Sequence, residues 1–337
     1  MSTSIYCFDP SISDEKSNVR GIGRYLQILK ENFGNQWIFT QRLNDVPLDS
    51  VFINPFFNFL QFPPVMRRIA QKQIAVIHDL IPLKYPESFP IGLKGRLAFF
   101  LNKLALKNYD IIVTDSEVSK KDIIALLKIS QEKVKVIYPY LLNIFTEKKQ
   151  ITSTRYTLPT TNYCLYVGDA TWNKNLVNLA KAIKIINVTC VFVGKVFESK
   201  ATDHPWQKEL QEFLEEVKDD KRFIFAGFVT DEQLIGLYQN AKCNILVSRD
   251  EGFGFSYLEA ASQSCPSILS DTSILHEISN DKGVLFAKPD NPHDIANAIG
   301  ELYFNKDVGK KIGIEAARRA ADFSPLAFKN EWQQLLQ

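Results

Sequence analysis

Residues 249–262 read RDEGFGFSYLEAAS and come directly after the apolar run at residues 243–247. This order predicts a strand, a glycine turn and then a helix. In parallel α/β sheets, ligands bind outside the carboxyl ends of strands, where helix N-termini point N–H groups at anions. Glycines let the backbone approach such a ligand closely. The segment therefore predicts an α/β fold with a ligand site, and Glu251 and Glu259 are its candidate carboxylates.

Short apolar runs alternate with helical patterns along most of the chain, for example the runs at residues 74–77 and 111–113. Such alternation predicts right-handed βαβ units and parallel sheets covered on both faces. Ser116 is the predicted N-cap of the helix that follows the second run. Because 337 residues exceed what one hydrophobic core usually holds, we expect two domains. The polar stretch at residues 147–161, rich in Thr, Ser and Pro, is the predicted linker.

The composition is that of a soluble globular protein, with 23% charged and 45% hydrophobic residues. The cysteines are odd in number and unclustered, which predicts reduced core residues rather than a disulfide or metal framework. They are Cys7, Cys164, Cys190, Cys243 and Cys265. No run approaches the roughly 18 apolar residues of a membrane span, and the N-terminus lacks a basic segment followed by an apolar one. We therefore expect a cytoplasmic protein.

Charge is unevenly distributed along the chain. Residues 1–150 hold 20 Lys and Arg against 14 Asp and Glu, a balance of +6, whereas the remainder holds 20 against 24, a balance of −4. The basic half predicts an anionic partner, such as a lipid-linked acceptor or peripheral contact with the inner face of a membrane. A solvated basic surface is the alternative, because no single stretch clusters the charge.

The 249–262 segment resembles the signature of glycosyltransferase family 4, whose members are retaining enzymes of the GT-B fold. The resemblance rests on two glutamates separated by seven residues, with Gly-Phe-Gly after the first and Leu-Glu-Ala around the second. It implies that Glu251 contacts the donor sugar and acts in catalysis, and that Glu259 holds the ribose hydroxyls. The residues expected to shape the donor pocket between them are Gly252, Phe253, Gly254 and Phe255. The alternatives are a turn glutamate, a helix glutamate favoured by the helix dipole, and phenylalanines that only pack in the core.

A second loop carries a lysine between a strand and a helix. Residues 166–176 read YVGDATWNKNL, and a lysine at such a turn can neutralise a diphosphate. In the family this loop binds the donor diphosphate, which implies that role for Lys174. The family often has a nearby arginine, but Asp169 and Asn173 occupy those places here. Lys174 would then act alone or with Arg249; a surface lysine near a helix start is the alternative.

Two motifs in the first half also match the family. Residues 78–86, HDLIPLKYP, resemble its His-Asp-Leu-x-Pro loop, which implies that His78 lies near the donor sugar, where imidazole can bind a hydroxyl or steady developing charge. Residues 20–25, RGIGRY, resemble its glycine loop before a helix, implying that Gly21, Gly23 and Arg24 reach the acceptor or the donor phosphates. A structural histidine and a simple helix-start turn are the alternatives.

The resemblance covers nearly the full chain and implies a GT-B fold of two Rossmann-like domains facing a central cleft. Residues 1–148 would form the acceptor-side domain, with the C-terminal helix at 324–337 crossing back onto it, and residues 149–323 the nucleotide-sugar-binding domain. The reaction would be a retaining hexosyl transfer to a hydroxyl of a glycan or lipid-linked acceptor in polysaccharide biosynthesis. It would need no metal or other cofactor, and no nucleic acid partner. The Trp-Asn-Lys-Asn variant resembles mannosyltransferases, which favours GDP-mannose as the donor.

Two other functions fit parts of the pattern. A non-catalytic nucleotide-sugar-binding protein or pseudo-enzyme subunit would use the same residues without turnover. A Rossmann-type reductase is disfavoured, because the motif at residues 21–23 lacks the third glycine of a dinucleotide fingerprint.

Overall fold

A computed structural model describes residues 3–12, 21–147 and 162–337. The chain divides into two compact units, one of Met1–Leu142 with Phe323–Gln337 and the other of Asn143–Asp322. Each unit contains a six-stranded sheet in which every pairing is parallel. The predicted linker lies outside the described residues, apart from Glu147.

The first unit is an α/β layer structure with strand order β2-β1-β3-β4-β5-β6. Its strands are β1 (Ile5–Phe8), β2 (Ile38–Thr40), β3 (Val51–Asn54), β4 (Lys72–Val76), β5 (Ile111–Thr114) and β6 (Val134–Val136). Its helices are α1 (Gly21–Phe33), α2 (Ile81–Lys84), α3 (Leu93–Ala105), α4 (Glu117–Leu127) and the C-terminal helix α13 (Pro325–Leu336).

The second unit has strand order β12-β11-β10-β7-β8-β9. Its strands are β7 (Cys164–Val167), β8 (Cys190–Val193), β9 (Phe223–Gly227), β10 (Cys243–Leu246), β11 (Ser267–Ser270) and β12 (Val284–Ala287). Its longer helices are α6 (Leu176–Ile186), α7 (Lys208–Glu216), α8 (Asp231–Asn240), α9 (Phe255–Ser262), α11 (Pro292–Phe304) and α12 (Lys306–Ala320). Two short helices, α5 (Asn143–Thr146) and α10 (Ser273–Ser279), complete it.

The prediction of parallel α/β sheets is confirmed. Central strands such as β8 and β10 are buried at every position, which is why they read as continuous apolar runs rather than alternating ones. Ser116 caps α4 as predicted, its hydroxyl accepting from the Ser119 amide at 3.0 Å. All five cysteines are buried and free, which confirms their prediction as reduced core residues.

The C-terminal helix α13 packs in the first unit, as expected. Ser324 caps it and Pro325 is its first residue, which explains the break after α12. Trp332 is fully buried and lies edge-on to Trp37 with ring centroids 5.5 Å apart. Phe328 contacts Tyr140 at 5.5 Å in the same way. Aromatic burial therefore fixes the end of the chain against the first core.

One local prediction is wrong. The expected glycine loop before a helix is itself helical, because α1 begins at Gly21 and includes Gly23 and Arg24. Arg20, which precedes it, lies outside the described residues. Glycine is unfavourable in helices by about 1 kcal/mol relative to alanine, so the motif reads locally as a loop, and tertiary packing of the buried α1 residues overrides that preference. No helix in the described part of the chain is long and apolar enough to span a bilayer.

Candidate functional site

The strand order of the second unit creates a switch point between β7 and β10. These strands are hydrogen-bonded neighbours, yet β8 and β9 continue on one side and β11 and β12 on the other. Open α/β sheets bind ligands outside the carboxyl ends of their strands at such a point. The loops that leave these two strands carry Lys174 and Glu251, so both lie where the fold places a ligand.

Lys174 and Glu251 form an ion pair across the two loops. The Lys174 ammonium lies 2.6 Å from Oε1 of Glu251, and the Ser248 hydroxyl donates to the same oxygen, also at 2.6 Å. Both charged side chains are mostly buried. The structure thus brings the predicted diphosphate-binding cation into contact with the carboxylate predicted to hold the sugar.

Two asparagines connect these two loops by hydrogen bonds. The Arg249 amide donates to the Asn173 carbonyl at 2.7 Å, and the Asn173 side chain donates to the Asp250 carbonyl at 3.1 Å. Asn175 adopts a left-handed conformation with φ 61°, which asparagine tolerates, and donates to the Val247 carbonyl at 2.9 Å. Asn173 therefore connects the two loops through both its main chain and its side chain.

Arg249 is held against the protein by Trp172 and Glu209. Its guanidinium donates to the Trp172 carbonyl, lies 5.0 Å from the indole centroid, and is 3.3 Å from a Glu209 oxygen. Burial raises the pKa of Glu209, although the hydrogen bond from the Val177 amide and the charge of Arg249 oppose that rise. The predicted donor-binding role of Arg249 stays a prediction.

Glu209 had no role predicted from the sequence. It lies near the start of α7, in a run of charged and apolar residues typical of any amphipathic helix. No local motif sets it apart, and only its contact with Arg249, 40 residues away, marks it as part of the site.

Glu259 lies inside α9, whereas Glu251 lies in the turn before it, as the sequence predicts. Glu259 is 4% exposed, and its carboxylate accepts a hydrogen bond from the Tyr238 hydroxyl at 3.2 Å. Gly254 precedes the helix with φ +108°, a conformation that favours glycine. The turn that separates the two glutamates thus depends on Gly254.

The two phenylalanines and Gly252 of this turn differ in burial. Phe253 is buried and its ring lies 5.2 Å from that of Phe255, edge to face, while Phe255 and Gly252 are partly exposed. Phe253 therefore contributes to packing. The predicted pocket roles of Gly252 and Phe255 stay predictions.

His78 belongs to the first unit and has both ring nitrogens beside acceptors. Nδ1 lies 2.6 Å from the Asp115 carboxylate and Nε2 lies 3.0 Å from the Pro55 carbonyl. Burial lowers the pKa of His78, but the charge and hydrogen bond of Asp115, the hydrogen bond to Pro55 and the charge of Asp79 together outweigh it, so the pKa is raised. An imidazolium can donate to both acceptors at once, which fits this environment. Asp115 had no predicted role, and it now emerges as the residue that fixes the ring.

The helix α1 approaches this histidine. The Tyr25 ring lies edge-on to the His78 ring with centroids 4.7 Å apart. Gly23 is buried and Arg24 is partly exposed in the same first turns of α1. The structure therefore brings the Gly-Ile-Gly-Arg motif and the His-Asp-Leu motif together within the first unit, while their roles toward a ligand stay predictions.

Among the described residues, no group of three or more His, Cys, Asp and Glu is arranged to hold a metal ion. His276 contacts Asp271 and Asp281, both carboxylates that a histidine can bind without any metal. The expected absence of a cofactor stays a prediction.

Comparisons with known proteins identify glycosyltransferases as similar to this chain. The family model described as glycosyl transferases group 1 matches residues 149–319. The O-antigen chain mannosyltransferase RfbU of Salmonella typhimurium is 28% identical over 235 residues, which cover 69% of this chain and 62% of that protein. The serotype-specific mannosyltransferase WbdA of Escherichia coli is 27% identical over 232 residues, covering 66% of this chain and 28% of that protein. The matched region is thus less than two thirds of either relative.

A solved structure supports the fold. HepE of Anabaena, crystallised with UDP and glucose, superposes with a TM-score of 0.72 over 99% of both chains at 13% sequence identity. At that identity the likeness concerns the fold alone. It confirms the predicted GT-B class.

Proposed function

Because the chain belongs to the glycosyl transferases group 1 family, we propose that it transfers a sugar from a nucleoside diphosphate to an acceptor hydroxyl. The observation that carries this proposal is the Lys174–Glu251 pair at the switch point between β7 and β10. A nucleotide sugar offers an anionic diphosphate beside a hydroxyl-rich ring. A lysine in contact with a carboxylate is complementary to that combination.

Each charged group has a distinct part of the donor to bind. Lys174 binds the diphosphate, Glu251 accepts hydrogen bonds from the sugar, and Glu259 holds the ribose hydroxyls. An ammonium has three N–H donors and can contact a phosphate oxygen as well as the Glu251 carboxylate. The Arg249 guanidinium supplies positive charge next to the same loops.

The chemical barrier lies in breaking the bond between the anomeric carbon and the diphosphate oxygen. Negative charge grows on the leaving group, and preorganised donors that face it stabilise the transition state. Lys174 and the N-terminal amides of α9 supply such donors, and Gly254 allows the chain to turn into that helix.

We propose a retaining course typical of family 4 and independent of a divalent metal. The acceptor oxygen bonds the anomeric carbon on the face that the diphosphate leaves, and its proton passes to a diphosphate oxygen. Glu251 orients the sugar in this scheme, and the role of His78 toward the sugar stays a prediction. A covalent intermediate on Glu251 is the alternative course.

GDP-mannose is the proposed donor and a glycan or lipid-linked hydroxyl the proposed acceptor. Support comes from the mannosyltransferases among the relatives, two of which are named for O-antigen chains. This assignment would give the protein a role in polysaccharide biosynthesis. The residues 1–148 would serve the acceptor and residues 149–323 the donor.

A panel of nucleotide sugars scored by thermal shift tests the donor. A ligand that binds only the native state raises the unfolding temperature, and we expect GDP-mannose to raise it most. A larger shift with another donor would correct the sugar, and no shift with any donor would contradict the proposal. Donor binding without hydrolysis or transfer would instead favour a non-catalytic nucleotide-sugar-binding protein.

A further inference from the structure

Helix α3 in the first unit exposes a stripe of large apolar side chains. Leu93 is 85% exposed, Leu97 51%, Phe100 57% and Leu104 38%. At about 100° per residue their spacing places all four within an arc of about 60° on the helix. We call these four residues the α3 patch.

The α3 patch is not explained by the folding of its own unit. A surface helix of a globular protein normally turns its large apolar residues toward the core. In α3 the buried positions are instead Ala98, Asn102 and Ala105, on the side opposite the patch. The large side chains therefore face away from the core, and contiguous exposed apolar residues mark interaction sites.

The loop at residues 61–66 is hydrogen-bonded to α3 and to the turn that follows it. The Asn102 side chain donates to the Gln61 carbonyl at 2.6 Å, and the Asn108 side chain donates to the Met66 carbonyl at 3.1 Å. This loop exposes two further large apolar side chains, Phe62 and Met66. Because Asn102 lies on the side of α3 opposite the patch, Phe62 and Met66 form a separate apolar exposure and are not part of the α3 patch.

Basic side chains flank the α3 patch. Arg96 and Lys103 lie on one side and Lys94 on the other, each about 70–90° from the centre of the stripe, and all three are exposed. The range Leu93–Ala105 contains no acidic residue, and Lys107 lies two residues after it. An apolar face bordered by lysine and arginine is the pattern of helices that lie in the plane of a membrane surface.

We propose that the α3 patch docks the first unit on a bilayer surface that contains anionic lipids. The apolar stripe enters the boundary between headgroups and acyl chains, while Lys94, Arg96 and Lys103 extend to the lipid phosphates. A second copy of the chain fits less well. A two-fold interface would place these basic residues near their own equivalents, where like charges repel. The inference rests on the first unit alone and does not depend on the proposed reaction.

Flotation of the full chain with lipid vesicles tests this proposal without any nucleotide sugar. We expect binding to vesicles of phosphatidylglycerol and phosphatidylethanolamine, and weaker binding to phosphatidylcholine alone or at high salt. The double variant Leu97→Ser/Phe100→Ser should lower the partition coefficient at least about tenfold, because two apolar side chains no longer insert. Arg96→Glu/Lys103→Glu should weaken binding to the anionic vesicles only.

The matched control is Leu48→Ser/Phe304→Ser, which removes a leucine and a phenylalanine that are 75% and 68% exposed outside α3. This control should float like the unaltered chain, and circular dichroism should show that all variants fold. The proposal is overturned if the chain does not bind anionic vesicles, or if the patch and control variants bind equally. A second result also overturns it: vesicle binding is absent, and the patch variant instead abolishes a concentration-dependent dimer or binding to a purified acidic protein.

Discussion

The Lys174 ammonium lies 2.6 Å from a Glu251 carboxylate oxygen, although the two residues are 77 positions apart in the chain. They meet because β7 and β10 are paired and the loops leaving them are tied together through Asn173. The lysine and the glutamate offset each other's charge in a mostly buried position. A diphosphate that binds Lys174 adds negative charge beside the Glu251 carboxylate. The hydroxyls of the sugar would then donate hydrogen bonds to that carboxylate.

Lys174→Ala should lower kcat for donor hydrolysis or transfer by about 10²–10³-fold, the usual cost of removing one preorganised donor to a developing anion. The variant also leaves Glu251 without its cation, so its unfolding temperature should be compared with that of the unaltered chain. Lys310→Ala, which removes an exposed lysine of α12, is the control and should not change kcat. Equal kcat in Lys174→Ala and the control would refute the role of this residue.

Glu259→Ala should mainly weaken nucleotide binding, because its carboxylate would accept hydrogen bonds from the ribose. The loss of hydrogen bonds to a charged group predicts a Kd for GDP raised about 10–100-fold, measured by calorimetry. Tyr238→Phe removes the hydroxyl that donates to Glu259 and keeps the carboxylate, so its effect should be smaller. A Kd that does not change in Glu259→Ala would exclude this carboxylate from the nucleotide site.

Asp115→Asn should lower the pKa of His78, since the charge and hydrogen bond of Asp115 raise it against the effect of burial. NMR titration of the imidazole signals measures this directly, and the chain has only four histidines to assign. Loss of one signal in His78→Gln identifies the resonance. The account of this site is wrong if the pKa of His78 is the same, or higher, in the Asp115→Asn variant.

His276 should make stability depend on pH. Its ring nitrogens lie 2.8 Å from Asp271 and 2.5 Å from Asp281, and hydrogen bonds to both carboxylates raise its pKa above 6.5. A group whose pKa is raised by folding stabilises the native state fully below the unfolded pKa of about 6.5, and that stabilisation is lost as the pH rises through the higher folded pKa.

His276→Gln should therefore lower the unfolding temperature more at pH ~6 than at pH ~9. Thermal denaturation at both values measures the difference. His293→Gln changes an exposed histidine of α11 and serves as the control, with no comparable pH-dependent loss expected. A destabilisation by His276→Gln that is constant, or that grows with pH, would show that the charged pair is not its source.

Much of the second unit could be predicted because its signals are local. Helix α6 begins at the end of the loop at residues 166–176, as expected from the order of strand, loop and helix, and α9 follows Gly254. The pairing of Arg249 with Glu209 could not be predicted, because it depends on how α7 packs beside the loop after β7. Strands β1 to β3 were not predicted, although β1 and β3 are as long as β7 and β10.

The glycine motif at residues 21–23 was predicted wrongly, because a local preference was taken as decisive. Gly21 and Gly23 indicated a loop by their intrinsic preference, whereas burial of Tyr25, Leu26 and Leu29 supports a helix from Gly21 onward. Similarly, the apolar residues of α3 give no sign in the sequence of which face is buried. Only the structure shows that Leu97 and Phe100 are exposed while Ala98 and Asn102 are not.

Calorimetric titration of GDP-mannose into the chain, the Lys174→Ala variant and the Lys310→Ala control tests the central claim most directly. We predict saturable binding of one donor to the chain and to the control, and a Kd raised at least about tenfold in Lys174→Ala, because the diphosphate loses its cation. No binding to the chain by GDP-mannose or any other nucleotide sugar, or equal affinity in all three proteins, would contradict a donor site at the switch point of the second sheet.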